Sequence, residues 1–280
     1  MIRKLFWIHF LLITGILMIL PGLENHNNSK GFYKTTLSKE YGTVADIDGN
    51  KYRTVKIGNQ EWMAENLRTS RYRDGTEIPT DLSDSEWKNT EKGAYAIYPH
   101  FGGGYTENRV YGISSETEMA EAYGKLYNWY AIEDNRELCP EGWRVPQEID
   151  WANLIYNLTY NHGLHNNIDS NATNGIGSIL KSCRQVHSPL RGHCSTRRHP
   201  RWHYHNTHYG TDRFDFAALP GGIRSHSGTF SIIGIYGFWW SASENQHNDA
   251  RFYEMGYDYS TVSNSIFPKN SGLSVRCIRE

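Results

Sequence analysis

Short stretches in which hydrophobic and polar residues alternate run along most of the chain, and Gly, Asn and Asp separate them. Thr43–Asp46 and Lys51–Ile57 alternate in this way on the two sides of Asp48-Gly49, which is a strong signal for a β-hairpin. Asp46, Asp48 and Asn50 also stand at alternate positions, as the ligands of a calcium loop do. The bidentate Glu that such a loop needs is missing, so the pattern predicts a turn between two strands.

The middle of the chain has a different pattern. Between Gln147 and Leu158 the apolar residues recur three and four positions apart, which predicts a helix. Gly237–Ser243 and Gly272–Ile278 are short and apolar again, and we expect them to be the closing strands. Trp239 and Trp240 are adjacent in the first of these strands, and we expect one in the core and the other near the surface.

The composition indicates a core built from aromatic residues on short strands and turns. The 280 residues include 19 Tyr, 9 Trp and 26 Gly, whereas the mean hydropathy is only -0.65, so long amphipathic helices are not expected. Lys and Arg number 29 against 30 Asp and Glu, which gives a formal net charge of -1. A general nucleic-acid binder needs a basic surplus to neutralise phosphates, so no nucleic-acid partner is expected.

The N-terminus carries an export signal. Leu5–Leu20 is almost wholly apolar and follows the basic pair Arg3-Lys4, which suits a secretory signal better than a membrane span of about 20 residues. No small-residue cleavage site follows, so an uncleaved segment that tethers the chain to a membrane stays open. We expect residues 1–24 to be a signal peptide or N-terminal anchor, residues 25–40 a linker and residues 41–280 one domain. The protein is then exported to the cell surface, the periplasm or the extracellular space.

Four cysteines fit an exported protein with one or two disulfides. They are Cys139, Cys183, Cys194 and Cys277, and no C-x2-C pair of a zinc site occurs among them.

Several segments together resemble the Fibrobacter succinogenes major paralogous domain family of exported proteins. These blocks are rich in Trp and Gly, occur in a fixed order and span about Tyr41 to Glu280. The blocks are Asp46–Asn50, Thr54–Gly58, Trp62–Arg68, Tyr123–Ala131, Cys139–Pro146, Ala218–Gly222, Phe238–Glu244 and Ser274–Cys277.

The resemblance implies an α+β fold of the C-type-lectin-like kind, with short twisted antiparallel strands, one or two helices and long loops. Such domains are related to formylglycine-generating enzymes and to retroelement-diversified variable proteins, and their N- and C-terminal strands pair. In this picture Cys139 and Cys277 form a disulfide. Cys183 and Cys194 are then left to pair with each other, because an exported protein seldom keeps two free thiols.

Residues 183–212, called the insert below, depart from the family pattern, which usually has a short Gly/Asn-rich stretch here. The insert holds six of the 13 His and many Arg, and we interpret it as a surface loop. His203 and His205 alternate as on a strand, with His199 and His208 nearby, so they could share a metal ion. No acidic residue or Cys stands among them and the Arg residues would repel a cation, so neither a metal nor a cofactor is expected. The Arg residues suit the carboxylates or sulfates of an anionic polysaccharide.

No catalytic pattern is present, and we do not expect an enzyme. Neither G-x-S-x-G nor H-E-x-x-H occurs, and Cys139 and Cys277 stand at positions that look structural. Formylglycine-generating oxidase chemistry, which depends on a reactive cysteine pair, is therefore a remote alternative.

The polar C-terminal stretch is the best candidate for ligand contact, because Tyr supplies rigid contact area and Asn supplies adaptable hydrogen bonds. Ala250, Phe252 and Met255 are expected to hold this stretch to the core. The candidate ligand-binding residues are Asn245, His247, Asp249, Arg251, Tyr253, Tyr257 and Tyr259. The sequence thus favours an exported binding module for a glycan or a surface protein. A structural subunit of an envelope or fimbrial assembly is the main alternative.

Overall fold

The computed structural model describes residues 41–101, 110–244 and 249–280. The expected signal peptide or anchor and the linker lie outside these ranges. Within them, no helix has the length and apolar character that a membrane crossing requires.

The described ranges contain twelve strands, five α-helices and one 3-10 helix (Gly192–Cys194). The strands are β1 (Tyr41–Ala45), β2 (Lys51–Ile57), β3 (Gln60–Met63), β4 (Tyr95–Ala96), β5 (Leu126–Tyr127), β6 (Trp143–Arg144), β7 (Ile223–Arg224), β8 (Phe230–Ser231), β9 (Tyr236–Glu244), β10 (Asp249–Gly256), β11 (Ser263–Pro268) and β12 (Ile278–Arg279). The helices are α1 (Asp84–Asn89), α2 (Glu116–Tyr123), α3 (Trp129–Ile132), α4 (Glu148–His162) and α5 (Ile176–Leu180). All strand pairs within the sheets are antiparallel, which confirms the α+β class.

The expectation of only one or two helices is wrong in number, although α2 and α4 alone exceed six residues. The predicted helix at Gln147–Leu158 is confirmed as α4. It begins after Gln147, whose backbone N–H donates to Asp150 Oδ2 at 2.7 Å, and ends at Gly163 in the left-handed conformation.

The predicted hairpin is confirmed, and Asp46 closes it. One carboxylate oxygen of Asp46 accepts hydrogen bonds from the backbone N–H groups of Asp48 and Asn50 at 3.0 and 2.9 Å. The other accepts from the Tyr52 hydroxyl at 2.6 Å. Gly49 has a φ of +80°, which favours glycine. Asp46 is therefore a turn residue.

The N- and C-terminal strands of the domain share one sheet, in the order β1-β2-β3-β12-β6. Ile278 pairs with Trp62 of β3 on one side and with Arg144 of β6 on the other. Both expected disulfides are present, and Cys277 of the Cys139–Cys277 bridge directly precedes β12. Two disulfides fit an exported protein.

Polar residues from separate family blocks meet in the core. Asn66 Oδ1 accepts hydrogen bonds from Trp239 Nε1 at 2.9 Å and from Arg276 Nη2 at 3.0 Å. Arg276 is fully buried, its guanidinium lies 4.5 Å from the Phe216 ring centroid, and burial lowers its pKa to about 9. Both Trp239 and Trp240 are fully buried, so the expectation of a surface position for one of them is wrong. These residues therefore stabilise the core and do not form a ligand-binding surface.

The second main sheet, in the order β11-β10-β9, carries the C-terminal segment. Ala250, Phe252 and Met255 of β10 are buried, as the sequence predicted. The Phe252 ring stacks on Phe267 of β11 with a centroid distance of 4.2 Å. Asp249, Arg251 and Glu254 of the same strand are half-buried.

The insert is only in part the surface loop that the sequence predicted, because Arg197 and His203 are exposed whereas other residues of the insert pack into the core. Trp202 is 1% exposed and its Nε1 donates to the Ala218 carbonyl at 3.1 Å. Gln185 and Cys194 are buried as well, and the Cys183–Cys194 disulfide joins the two sides of the insert.

Replacing Cys183 and Cys194 together by Ser is expected to lower the free energy of unfolding by about 3 kcal/mol, because their bridge closes a short loop of 11 residues. Since Trp202 anchors the insert in the core, urea unfolding should remain a single transition in both Trp fluorescence and circular dichroism. A separate early transition that leaves the rest of the domain folded would show that the insert unfolds on its own.

Candidate functional site

The C-terminal candidates occupy different environments. Asn245 and His247 lie outside the described residues. Asp249 is half-buried at the start of β10, where it is in register with Pro268 of β11.

Arg251 is half-buried and connects three elements. Its Nε lies 3.2 Å from Glu148 Oε2 at the start of α4, and its Nη1 donates to Asn264 Oδ1 of β11 at 2.8 Å. A ligand would therefore have to compete with two contacts that this side chain already makes.

Tyr253 is buried and Tyr259 is half-buried. Tyr253 is 3% exposed and stacks on Trp151 with a centroid distance of 4.7 Å, and burial raises its pKa to about 12. Burial, followed by the nearby Glu254 carboxylate, also raises the pKa of Tyr259. Tyr253 fastens β10 to α4, and its ring is closed to a ligand.

Tyr257 brings the C-terminal segment into contact with the insert. Its ring centroid lies 5.3 Å from that of His203 and 6.2 Å from that of His205, both in edge-on geometry. His203 is exposed, whereas Tyr257 and His205 are half-buried. The two regions that the sequence offered as separate candidate sites thus form one surface.

Lys181 is buried and connects the insert to the C-terminal segment. It follows α5 directly, is 1% exposed, and burial lowers its pKa to about 7. Its Nζ donates to the carbonyls of His208 in the insert at 2.6 Å, and of Gly256 and Tyr259 in the C-terminal segment at 2.7 and 2.8 Å. Sequence analysis missed this residue, although a Lys directly after the apolar pair Ile179-Leu180 was a usable signal.

The histidines of the insert do not gather around one point. His205 and His208 lie together, with a ring distance of 4.5 Å, but His199 contacts Tyr123 instead. Burial, then the charge of Lys181, lowers the pKa of His205, and burial followed by His205 and Lys181 lowers that of His208. In the described chain, the one cluster with metal-ligand spacing is Cys183, His193 and Cys194, and its two sulfurs are joined in a disulfide.

A cleft of about 480 Å³, called the insert cleft below, lies beside His203. Its lining contains no acidic side chain among the described residues. Arg197 and Tyr111 are exposed, while Arg201 is 4% exposed and its Nε donates to the Arg197 carbonyl at 3.1 Å. The lining consists of Tyr111, Val186, Arg197, Arg201 and His203. This composition suits an anion that bears hydroxyl groups or rings.

Comparison with known protein families identifies a family for most of the chain. The family described as the Fibrobacter succinogenes major domain matches residues 55–279, which is most of the chain. No curated protein and no solved structure matches the sequence.

Proposed function

The chain belongs to the Fibrobacter succinogenes major domain family, and from that premise we propose that it is an exported binding module for an anionic glycan. The insert cleft and the adjacent Tyr257 surface hold the ligand. No catalytic step is part of this function, and no cofactor takes part in it.

The charge of the insert cleft is the observation that carries the proposal. A guanidinium group matches the two oxygens of a carboxylate or sulfate, so Arg197 at the surface provides the anion contact. Tyr111 and Tyr257 offer aromatic rings to the sugar, and the exposed His203 lies between the cleft and Tyr257. Sugars with uronic acid or sulfate groups combine these features.

The topology supports a C-type-lectin-like arrangement within the α+β class. The pairing of β3 with β12 joins the two ends of the domain, as expected for that fold. All four cysteines are in disulfides, so an oxidase that requires a thiol pair is disfavoured.

Replacing Arg197 by Ala is expected to weaken binding to a uronic-acid or sulfated polysaccharide about tenfold, the effect of losing a contact worth about 1.4 kcal/mol. Surface plasmon resonance with the full chain measures the affinity at several salt concentrations. Binding should weaken steeply with salt, because the contact is exposed and charged.

Arg213→Ala is the matched control, since Arg213 is exposed and does not line the insert cleft. Equal losses for both variants, or equal binding to a neutral polysaccharide, would contradict the proposal. Absence of binding to any glycan would favour the alternative of a structural subunit in an envelope or fimbrial assembly.

A further inference from the structure

A second cleft, of about 800 Å³, lies between the β1–β2 hairpin and helix α2 and shares no lining residue with the insert cleft. Three of the family blocks contribute side chains to its lining. These side chains include Asp48, Arg68 and Lys125, one from each block. It is called the Lys125 cleft below, and the anionic-glycan proposal uses none of its residues.

Lys125 is a buried cation that forms no ion pair among the described residues, although the charges of the nearby Asp48 and Asp46 partly compensate it. The residue is 5% exposed and still lines the cleft. Its Nζ donates to Ser70 Oγ at 2.6 Å and lies 4.0 Å from the Tyr95 ring centroid. Among the described residues, no carboxylate oxygen lies within the 4.0 Å of an ion pair with this Nζ.

Asp48, which also lines the cleft, fixes this arrangement without forming an ion pair with Lys125. Its carboxylate accepts hydrogen bonds from the Ser70 backbone N–H and from Thr69 Oγ1, and it forms an ion pair with Arg71. Asp48 therefore positions the Ser70 hydroxyl that receives the Lys125 ammonium.

A buried ammonium group is costly unless a counter-ion or enough acceptors surround it. An ammonium has three N–H donors, and Ser70 accepts one of them. Burial lowers the pKa of Lys125 to about 8, as expected for a group with too little compensation. A carboxylate from a ligand in the cleft would supply the missing partner.

The α2 wall of the cleft has the opposite charge. Glu116 and Glu121 line it, are exposed, and form no ion pair with any residue in the described ranges. On the hairpin side, Arg68 already lies 3.7 Å from Glu65 and donates to the Lys51 carbonyl. Two unpaired carboxylates at the rim repel a polyanion and attract an ammonium group.

We infer that the Lys125 cleft binds a small zwitterion of the amino-acid type, with its carboxylate on Lys125 Nζ and its ammonium group toward Glu116 and Glu121. The cation on the floor and the carboxylates on the α2 wall favour a ligand that carries both charges. A polyanionic glycan satisfies Lys125 and is repelled by the wall, so this cleft and the insert cleft select different ligands.

Isothermal titration calorimetry of the full chain tests this with a series of ω-amino acids from glycine to 6-aminohexanoate, because the series scans the distance between the two charges. At least one member should bind ten times or more tightly than acetate or methylamine alone. Lys125→Met and the double variant Glu116→Gln/Glu121→Gln should each reduce that affinity about tenfold. Lys88→Met, an exposed lysine on α1 outside the cleft, should leave it unchanged.

The double glutamine variant alters exposed side chains only, so it remains informative if Lys125→Met fails to fold. Undiminished binding by that double variant, acetate binding as tight as that of the zwitterions, or no binding of any member at about 1 mM would each overturn the inference. Arg197→Ala should not affect these titrations. The test of the zwitterion site is therefore independent of the test of glycan binding.

Discussion

Replacing Cys139 and Cys277 together by Ser is expected to lower the free energy of unfolding by about 5 kcal/mol. The bridge spans a sequence separation of 138 residues, so its loss restores a large conformational entropy to the unfolded chain. It also lies next to Ile278, which connects β3 to β6. Urea unfolding of the full chain, followed by Trp fluorescence, measures the change.

The Cys183→Ser/Cys194→Ser variant is the matched control, because it removes a disulfide from a loop of only 11 residues. If loop entropy dominates, the Cys139–Cys277 bridge should contribute about 2 kcal/mol more to the free energy of unfolding than the Cys183–Cys194 bridge. Equal losses would show that native-state packing around the bridges, rather than the unfolded chain, determines their contributions.

Replacing Lys181 by Met is expected to lower the free energy of unfolding by about 3 kcal/mol and to weaken glycan binding together with it. The substitution leaves three carbonyls without their donor, each at a cost of about 1–3 kcal/mol that the relief of burying a charge partly offsets. Two of these carbonyls hold the C-terminal segment and one holds the insert, so Tyr257 should separate from His203. Calorimetric melting and glycan affinity are measured on the same preparation.

The pH dependence of stability identifies the source of this effect. Burial lowers the pKa of Lys181 to about 7, while the unfolded residue titrates near its ordinary value of 10.5. Between these values unfolded Lys181 binds a proton that folded Lys181 does not, so the contribution of Lys181 to stability should rise with pH from about 7 to 10.5. Lys181→Met should reduce this rise, whereas Lys88→Met, at an exposed site, should keep it. An unchanged slope in Lys181→Met would contradict the assignment.

Local patterns in the sequence were sufficient for several elements. The Asp48-Gly49 turn, the spacing of apolar residues in α4 and the buried positions of Ala250, Phe252 and Met255 depend on neighbours within a few residues. The two disulfides followed from the family resemblance and from the number of cysteines that remained. Interactions of short range along the chain made the turn, the helix and these buried positions predictable, whereas the disulfides needed the resemblance and the cysteine count.

The candidate site needed the tertiary structure, because its parts are distant in sequence. Tyr253 and Tyr257 look alike in a polar segment, yet Trp151 of α4 covers the first and His203 of the insert borders the second. Lys181 is an ordinary cation until three carbonyls from two segments surround it.

The sequence by itself determined the α+β class, the family and the two disulfides. Only the tertiary structure decided that the insert packs in the core through Trp202, that it meets the C-terminal segment at Tyr257, and that Lys125 is buried at the floor of a cleft. The physical reason is that burial and charge pairing are properties of a whole neighbourhood. Long-range packing brings that neighbourhood together from segments whose local patterns do not specify one another.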